Sequence, residues 1–125
     1  MKHDLNKLSE IALLLNFILA KAFIEKGLES KLGTSLSVIS ESLYIRRKKT
    51  HTILRQIEKA FEEIHNHQFI MYKYEVMISS NPEKTMLDIS IVNHDVINAK
   101  SIKEMLKGNA RILVGLGYEV TLPVC

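Results

Sequence analysis

Three spacings of apolar residues divide this chain. From Ile11 to Ile24, twelve of fourteen residues are apolar, and only Asn16 and Lys21 interrupt. Ile53, Leu54, Ile57, Phe61 and Ile64 follow one another three and four apart. From Ile70 to Ile91 apolar residues mostly take every second position. The first spacing predicts a helix buried on more than one side. The second predicts a helix with a single buried stripe, and the third a pair of strands sharing one inward face.

The first helix is expected over residues 4–26, with Asp4 as its N-cap and Gly27 as its stop. Its apolar stretch is shorter than the roughly 20 residues that a membrane span requires. Ala20-Lys21-Ala22 has the form of a signal-peptide cleavage site, but Asp4 and Glu10 are out of place in a basic leader, so no membrane or export role is expected. One side of this helix can cover the chain's own core. The other side calls for a partner, and a twin copy is the simplest. The expectation is a homodimer through the N-terminal helix; a central helix inside a monomer is the competing arrangement.

A polar connector, Gly27 to Thr34, contains a possible short strand. Ser35 then caps a short helix over Leu36 to Leu43, with Ile39 and Leu43 facing inward and Ser40 small enough for close helix crossing. Tyr44-Ile45-Arg46 makes a tight link to the next helix, so the two helices should meet at a steep angle. That helix runs to His65-Asn66, with Asn66 as a left-handed cap. Ile70, Tyr72, Tyr74, Val76 and Ile78 then alternate with polar or flexible residues. Ser79 to Lys84 forms the expected hairpin tip, and Leu87, Ile89 and Ile91 return. Ile102, Leu106, Ala110 and Leu113 predict a last helix over 96–115, weakened by Gly108 by about 1 kcal/mol relative to alanine and ended by Gly115 and Gly117. Tyr118 to Leu122 follow as a short strand or a tail.

At 125 residues with 46% hydrophobic content, the chain is expected to form a single domain, 1–125. Its one cysteine, Cys125, rules out an intrachain disulfide, which fits a reducing cytoplasm. The net charge is +3, yet Arg46 to Arg55 holds five permanent cations and no acid, so the remainder sums to −2. The positive field is therefore local. It also sits at the wrong end of its helix. Cations crowd the N-terminus, where the macrodipole is positive, while Glu58, Glu62 and Glu63 lie toward the other end. Each misplaced charge costs about 0.3–1 kcal/mol at low salt, and an anionic partner at the N-terminus would relieve the conflict. A solvated charged face is the plainer reading of such a run.

The stretch Ser35-Leu36-Ser37-Val38-Ile39-Ser40-Glu41-Ser42-Leu43-Tyr44-Ile45, continued from Arg46 to Ile57, resembles the helix-turn-helix of winged-helix DNA-binding proteins. Ile39, Leu43, Ile45, Thr50, Ile53, Leu54 and Ile57 match the core positions of that pattern, and Ser40 its small position. The hairpin that follows takes the place of the wing. The resemblance covers about residues 34–92 and departs at two points. Tyr44 stands where many such motifs have a left-handed glycine, implying a cost or a different turn, and Arg46 replaces a small polar cap. The implied fold class is α+β, a winged helix (34–92) with long N-terminal (4–26) and C-terminal (96–115) flanking helices. In this family flanking helices often dimerise.

The implied function is sequence-specific binding of double-stranded DNA, in transcription regulation or plasmid-type DNA replication initiation; the hairpin and helix over 86–107 are similar to those of plasmid initiators. Arg46, Arg47, Lys48 and Lys49 would hold phosphates. His51, Thr52, Arg55 and Gln56 would reach base edges, on the same helix as Lys59, and Lys84 at the wing tip would touch the backbone or minor groove. The other function considered is a protein-interaction module on the same scaffold. No enzyme is expected, since no nucleophile or acid–base constellation stands out. His65 and His67 are two apart and diverge on a helix, so no metal is expected. Gly115-Leu116-Gly117 lacks the third glycine of a dinucleotide loop, and no cofactor is expected.

Overall fold

The computed structural model describes residues 8–46 and 49–123. In chain order they form α1 (Glu10–Lys26), β1 (Leu32–Ser35), α2 (Leu36–Ser42), α3 (Thr50–His67), β2 (Tyr72–Met77), β3 (Met86–Ile91) and α4 (Ala99–Gly115). The chain is thus α+β, with four helices and one three-stranded antiparallel sheet of order β1-β3-β2. Among the described residues, no helix is long and apolar enough to cross a membrane.

Helix α1 begins at Glu10 rather than near Asp4, which lies outside the described residues. Ser9 is extended, and its hydroxyl accepts the Ala12 N–H at 3.2 Å, so it is the cap. Glu63 of α3 secures this end, accepting from both the Ser9 N–H and hydroxyl at 3.0 Å. Leu13, Leu14, Leu15, Phe17, Leu19 and Phe23 are all buried, as are Ala12 and Ala20 between them. Helices α3 and α4 both pack on α1, and Tyr72 of the sheet meets the Phe23 ring at 6.2 Å. Much of the burial that its apolar surface demands is thus met within one chain, while Ile11, Ile18, Ala22 and Ile24 stay half-exposed.

The core continues into the sheet. Phe61 of α3 stacks on Tyr74 at 4.4 Å and meets Tyr72 edge-on at 5.8 Å. Strand β3 is central, and its Leu87, Ile89 and Ile91 are fully or almost fully buried. Each such side chain contributes about 1.5–3 kcal/mol through removal from water. Register pairs Val76 with Leu87 and Tyr72 with Ile91 across the hairpin, and Leu32 with Ile89 on the other edge. Asn16, fully buried in α1, accepts from the Tyr72 hydroxyl at 3.3 Å and donates to Met105 Sδ of α4 at 3.4 Å.

Several boundaries differ from those expected. Helix α3 runs to His67, past Asn66, because Gln68 leaves the helix in an extended conformation and no left-handed cap is needed. Helix α4 starts at Ala99 rather than near residue 96; Asn98 caps it, accepting the Ser101 N–H at 2.8 Å. Residues 118–123 form a tail without strand structure. Ile70 and Ile78 fall outside β2, and the hairpin tip spans residues 78–85 rather than 79–84. Thr85 explains the longer tip. Its buried hydroxyl accepts from the Ser79 N–H at 3.0 Å and has the carbonyls of Ser79 and Asn81 at 2.9 and 3.1 Å.

The wound tip also serves the helices beside it. The Thr85 and Pro82 carbonyls accept from Leu36 N–H and Ser37 N–H at 2.7 and 3.1 Å, satisfying donors that open α2. Thr50, the first residue of α3, donates its hydroxyl to the Ser80 carbonyl at 3.2 Å. The Thr85→Val change keeps the shape and removes only the hydroxyl's hydrogen bonds to Ser79 and Asn81. It should cost about 1–3 kcal/mol in urea unfolding; a loss below about 0.5 kcal/mol would show that the tip does not depend on the hydroxyl.

His65 joins α3 to the start of β2: its Nε2 accepts the Tyr72 N–H at 3.1 Å. Burial lowers its pKa below 6.5, and protonation would also take the lone pair that receives Tyr72. The depressed value means that this stabilisation is complete above about pH 6.5 and is lost as pH falls through the folded value. The melting temperature should therefore drop on acidification from pH 7 to 5, and His65→Gln should drop less. An equal drop in both proteins would exclude His65 as the source.

Candidate nucleic-acid interface

The two helices of the expected helix-turn-helix meet at Tyr44. Helix α2 ends with Tyr44 N–H bonded to the Glu41 carbonyl and Ile45 N–H to the Ser40 carbonyl, at 3.1 and 2.9 Å. This is the Schellman closure, which places the residue after the cap in the left-handed region. Tyr44 has φ 57° and is the one non-glycine residue with positive φ among those described. The chain thus keeps the left-handed turn and bears the steric cost of a tyrosine there, about 1–2 kcal/mol. The close approach expected at Ser40 is compatible with its burial.

Helix α3 turns Ile53, Leu54, Ile57, Ala60, Phe61 and Ile64 to the core. The helical period then sends His51, Arg55 and Lys59 to the opposite side, and all three are exposed. Arg46 and Lys49, just ahead of the helix, are exposed too. Arg47 and Lys48 lie outside the described residues. Among the described residues, no ion pair or side-chain hydrogen bond engages Arg46, Lys49, Arg55 or Lys59. Lys49 occupies the N-cap position, no side chain caps the helix, and its first turn holds no acid. Positive side chains and the positive end of the helix therefore stand together and uncompensated.

The hairpin tip borders this ridge. Lys49, Thr50, His51 and Leu54 face Ile78, Ser79 and Ser80 across an open groove of about 600 Å³. On the other flank, Arg46 shares a hollow of about 310 Å³ with Glu41 and Glu83. The candidate residues divide accordingly. Arg46, Lys49, His51, Arg55 and Lys59 belong to one ridge, with Thr52 half-buried along it. Gln56 is half-buried, with its Oε1 shielded and without a partner. Lys84 is exposed on the tip, beside the exposed Glu83.

Sequence reasoning missed the groove's second wall. Strict alternation assigned Ile78 to the inward face, yet it is 74% exposed, and neighbouring Met77 is 63% exposed. The strand ends at Met77 and the chain rotates into the tip; the polar run from Ser79 to Asn81 was the available signal. Reversed charge order is also partly explained, because Glu63 is occupied in holding Ser9 of α1. Among the described residues, no group of three histidine, cysteine, aspartate or glutamate side chains gathers in a metal-binding arrangement. Comparison with protein-family models, curated proteins and solved structures found no match for the chain.

An uncapped, cationic helix start is poor for stability. Lys49→Asp supplies a capping oxygen and reverses an unfavourable charge. It should raise unfolding free energy by about 1 kcal/mol. A neutral or lower stability would mean that the helix start is already satisfied.

Proposed function

We propose that this chain is a winged-helix domain that binds double-stranded DNA, with α3 entering the major groove and the hairpin as the wing. The observation carrying this reading is the exposed ridge of Arg46, Lys49, Arg55 and Lys59, cations free of ion pairs among the described residues, with His51 exposed among them, beside an open groove at the hairpin tip. The helix–strand–helix–helix–hairpin order and the left-handed turn at Tyr44 support it. Lys49 and Arg46 hold phosphates at the helix start. Arg55, one and a half turns further in, reaches a base edge, where arginine pairs with guanine. Transcription control and replication initiation both employ such a contact in a reducing cytoplasm.

A protein-interaction role has one specific observation in its favour: the ridge turns acidic at the exposed Glu58 and Glu62, giving a surface of mixed sign. Salt dependence separates the two readings. With four to six phosphates neutralised, duplex affinity should fall with a log–log slope of about −4 to −5. In the same assay Arg55→Ala should blur sequence preference, while Lys49→Ala should weaken every duplex alike. A slope shallower than about −1 would remove the DNA reading.

A further inference from the structure

The tail after α4 folds back along α1. Helix α4 closes as α2 does: Gly117 N–H bonds to the Val114 carbonyl and Tyr118 N–H to that of Leu113, both at 3.0 Å, with Gly117 at φ 99°. This closure aims Tyr118 at the first helix, where its hydroxyl donates to Glu10 Oε2 at 2.6 Å. Further along, Lys21 Nζ donates to Thr121 Oγ1 at 2.7 Å. Between tail, α1 and the end of α2 lies a cleft of about 370 Å³. That volume is within the range of small-molecule sites, about 300–1,000 Å³.

The lining has a definite chemistry. Leu14, Phe17 and Ile18 supply an apolar floor. Tyr44 and Tyr118 form an aromatic wall, their rings 5.5 Å apart and inclined at 41°. Glu25 and Glu119 bring two carboxylates, against the single ammonium of Lys21, which is hydrogen-bonded to the tail. Aromatic faces attract cations within about 6 Å of the ring centre, and the lining acids add to that attraction. An anion would meet the surplus carboxylate instead.

We propose that this cleft is a binding site for an amphipathic organic cation: a compact apolar body on the floor and a quaternary or protonated amine between the tyrosines and the acids. The site does not depend on the DNA reading. Its consequence does: Tyr44 is both a wall of the cleft and the left-handed residue linking α2 to α3, so a bound cation bears directly on the turn that orients the ridge. The class of effector is thereby specified for a domain whose ridge lies elsewhere.

The test uses the full chain in two-dimensional amide NMR, titrated with phenyltrimethylammonium and, separately, benzenesulfonate. The cation should shift Ile18, Ala22, Tyr44 and Tyr118 saturably, and benzenesulfonate should bind at least about fivefold more weakly. The exposed double change Glu25→Gln with Glu119→Gln should weaken the cation about fivefold at unchanged melting temperature. Equal binding of both probes, no saturable binding, indifference to the double change, or shifts on dilution that mark the cleft as a contact between copies would each overturn the site. Duplex affinity measured with and without the cation then tests the link to the turn. Binding with unchanged duplex affinity would overturn that link alone, whereas a chain that binds no duplex leaves the NMR result to decide the site.

Discussion

Helix α1 carries more apolar surface than one packing partner can cover, and the remaining elements are arranged to satisfy it. Helices α3 and α4 lie against it, and the sheet reaches it through Tyr72. Asn16 fixes the alignment. An unpaired buried amide would cost about 1–3 kcal/mol, so the Tyr72 hydroxyl and the Met105 sulfur must both arrive opposite it. One polar group in an otherwise apolar helix thus ties the sheet and α4 to the same level of α1.

Once α3 is committed to α1 and to β2 by Ile57, Phe61 and Ile64, its other face has no internal use. The positive residues near its start remain in water, and none of those described finds an acid. The hairpin tip is brought beside them for a separate reason. Its carbonyls accept from the first N–H groups of α2 and from the Thr50 hydroxyl of α3, and Thr85 winds the chain so that they can. A groove between ridge and tip follows from these hydrogen bonds, so its shape is a by-product of backbone satisfaction as much as of charge placement.

Element types and their order were legible because each rests on a strong local signal: the apolar block of α1, the three-and-four spacing of α3, and the alternation along the hairpin. Edges were less so. Ser9 and Asn98 are ordinary polar residues until the backbone turns at them, and Asp4 was an equally good cap by residue type. Ile78 followed the alternation perfectly, yet the strand had ended one residue earlier. The second side of α1 could not be assigned, since a periodicity reports that a face is buried and never by what. Among site residues, the outward placement of Arg55 and Lys59 followed from helical geometry, which put Thr52 on the same side although it is half-buried. The shielded Oε1 of Gln56 did not, because its position lies at the margin between faces, where side-chain rotamer decides.

Helix α3 presents its cationic ridge with the hairpin tip alongside, and a polyanion is the partner proposed for it. Mapping amide shifts on the full chain during titration with a short duplex examines this directly. Perturbations confined to the residues around Arg46, the first three turns of α3 and residues 78–85 are the predicted result. Shifts concentrated on α4 and the outer face of the sheet, with the start of α3 unchanged, would contradict it.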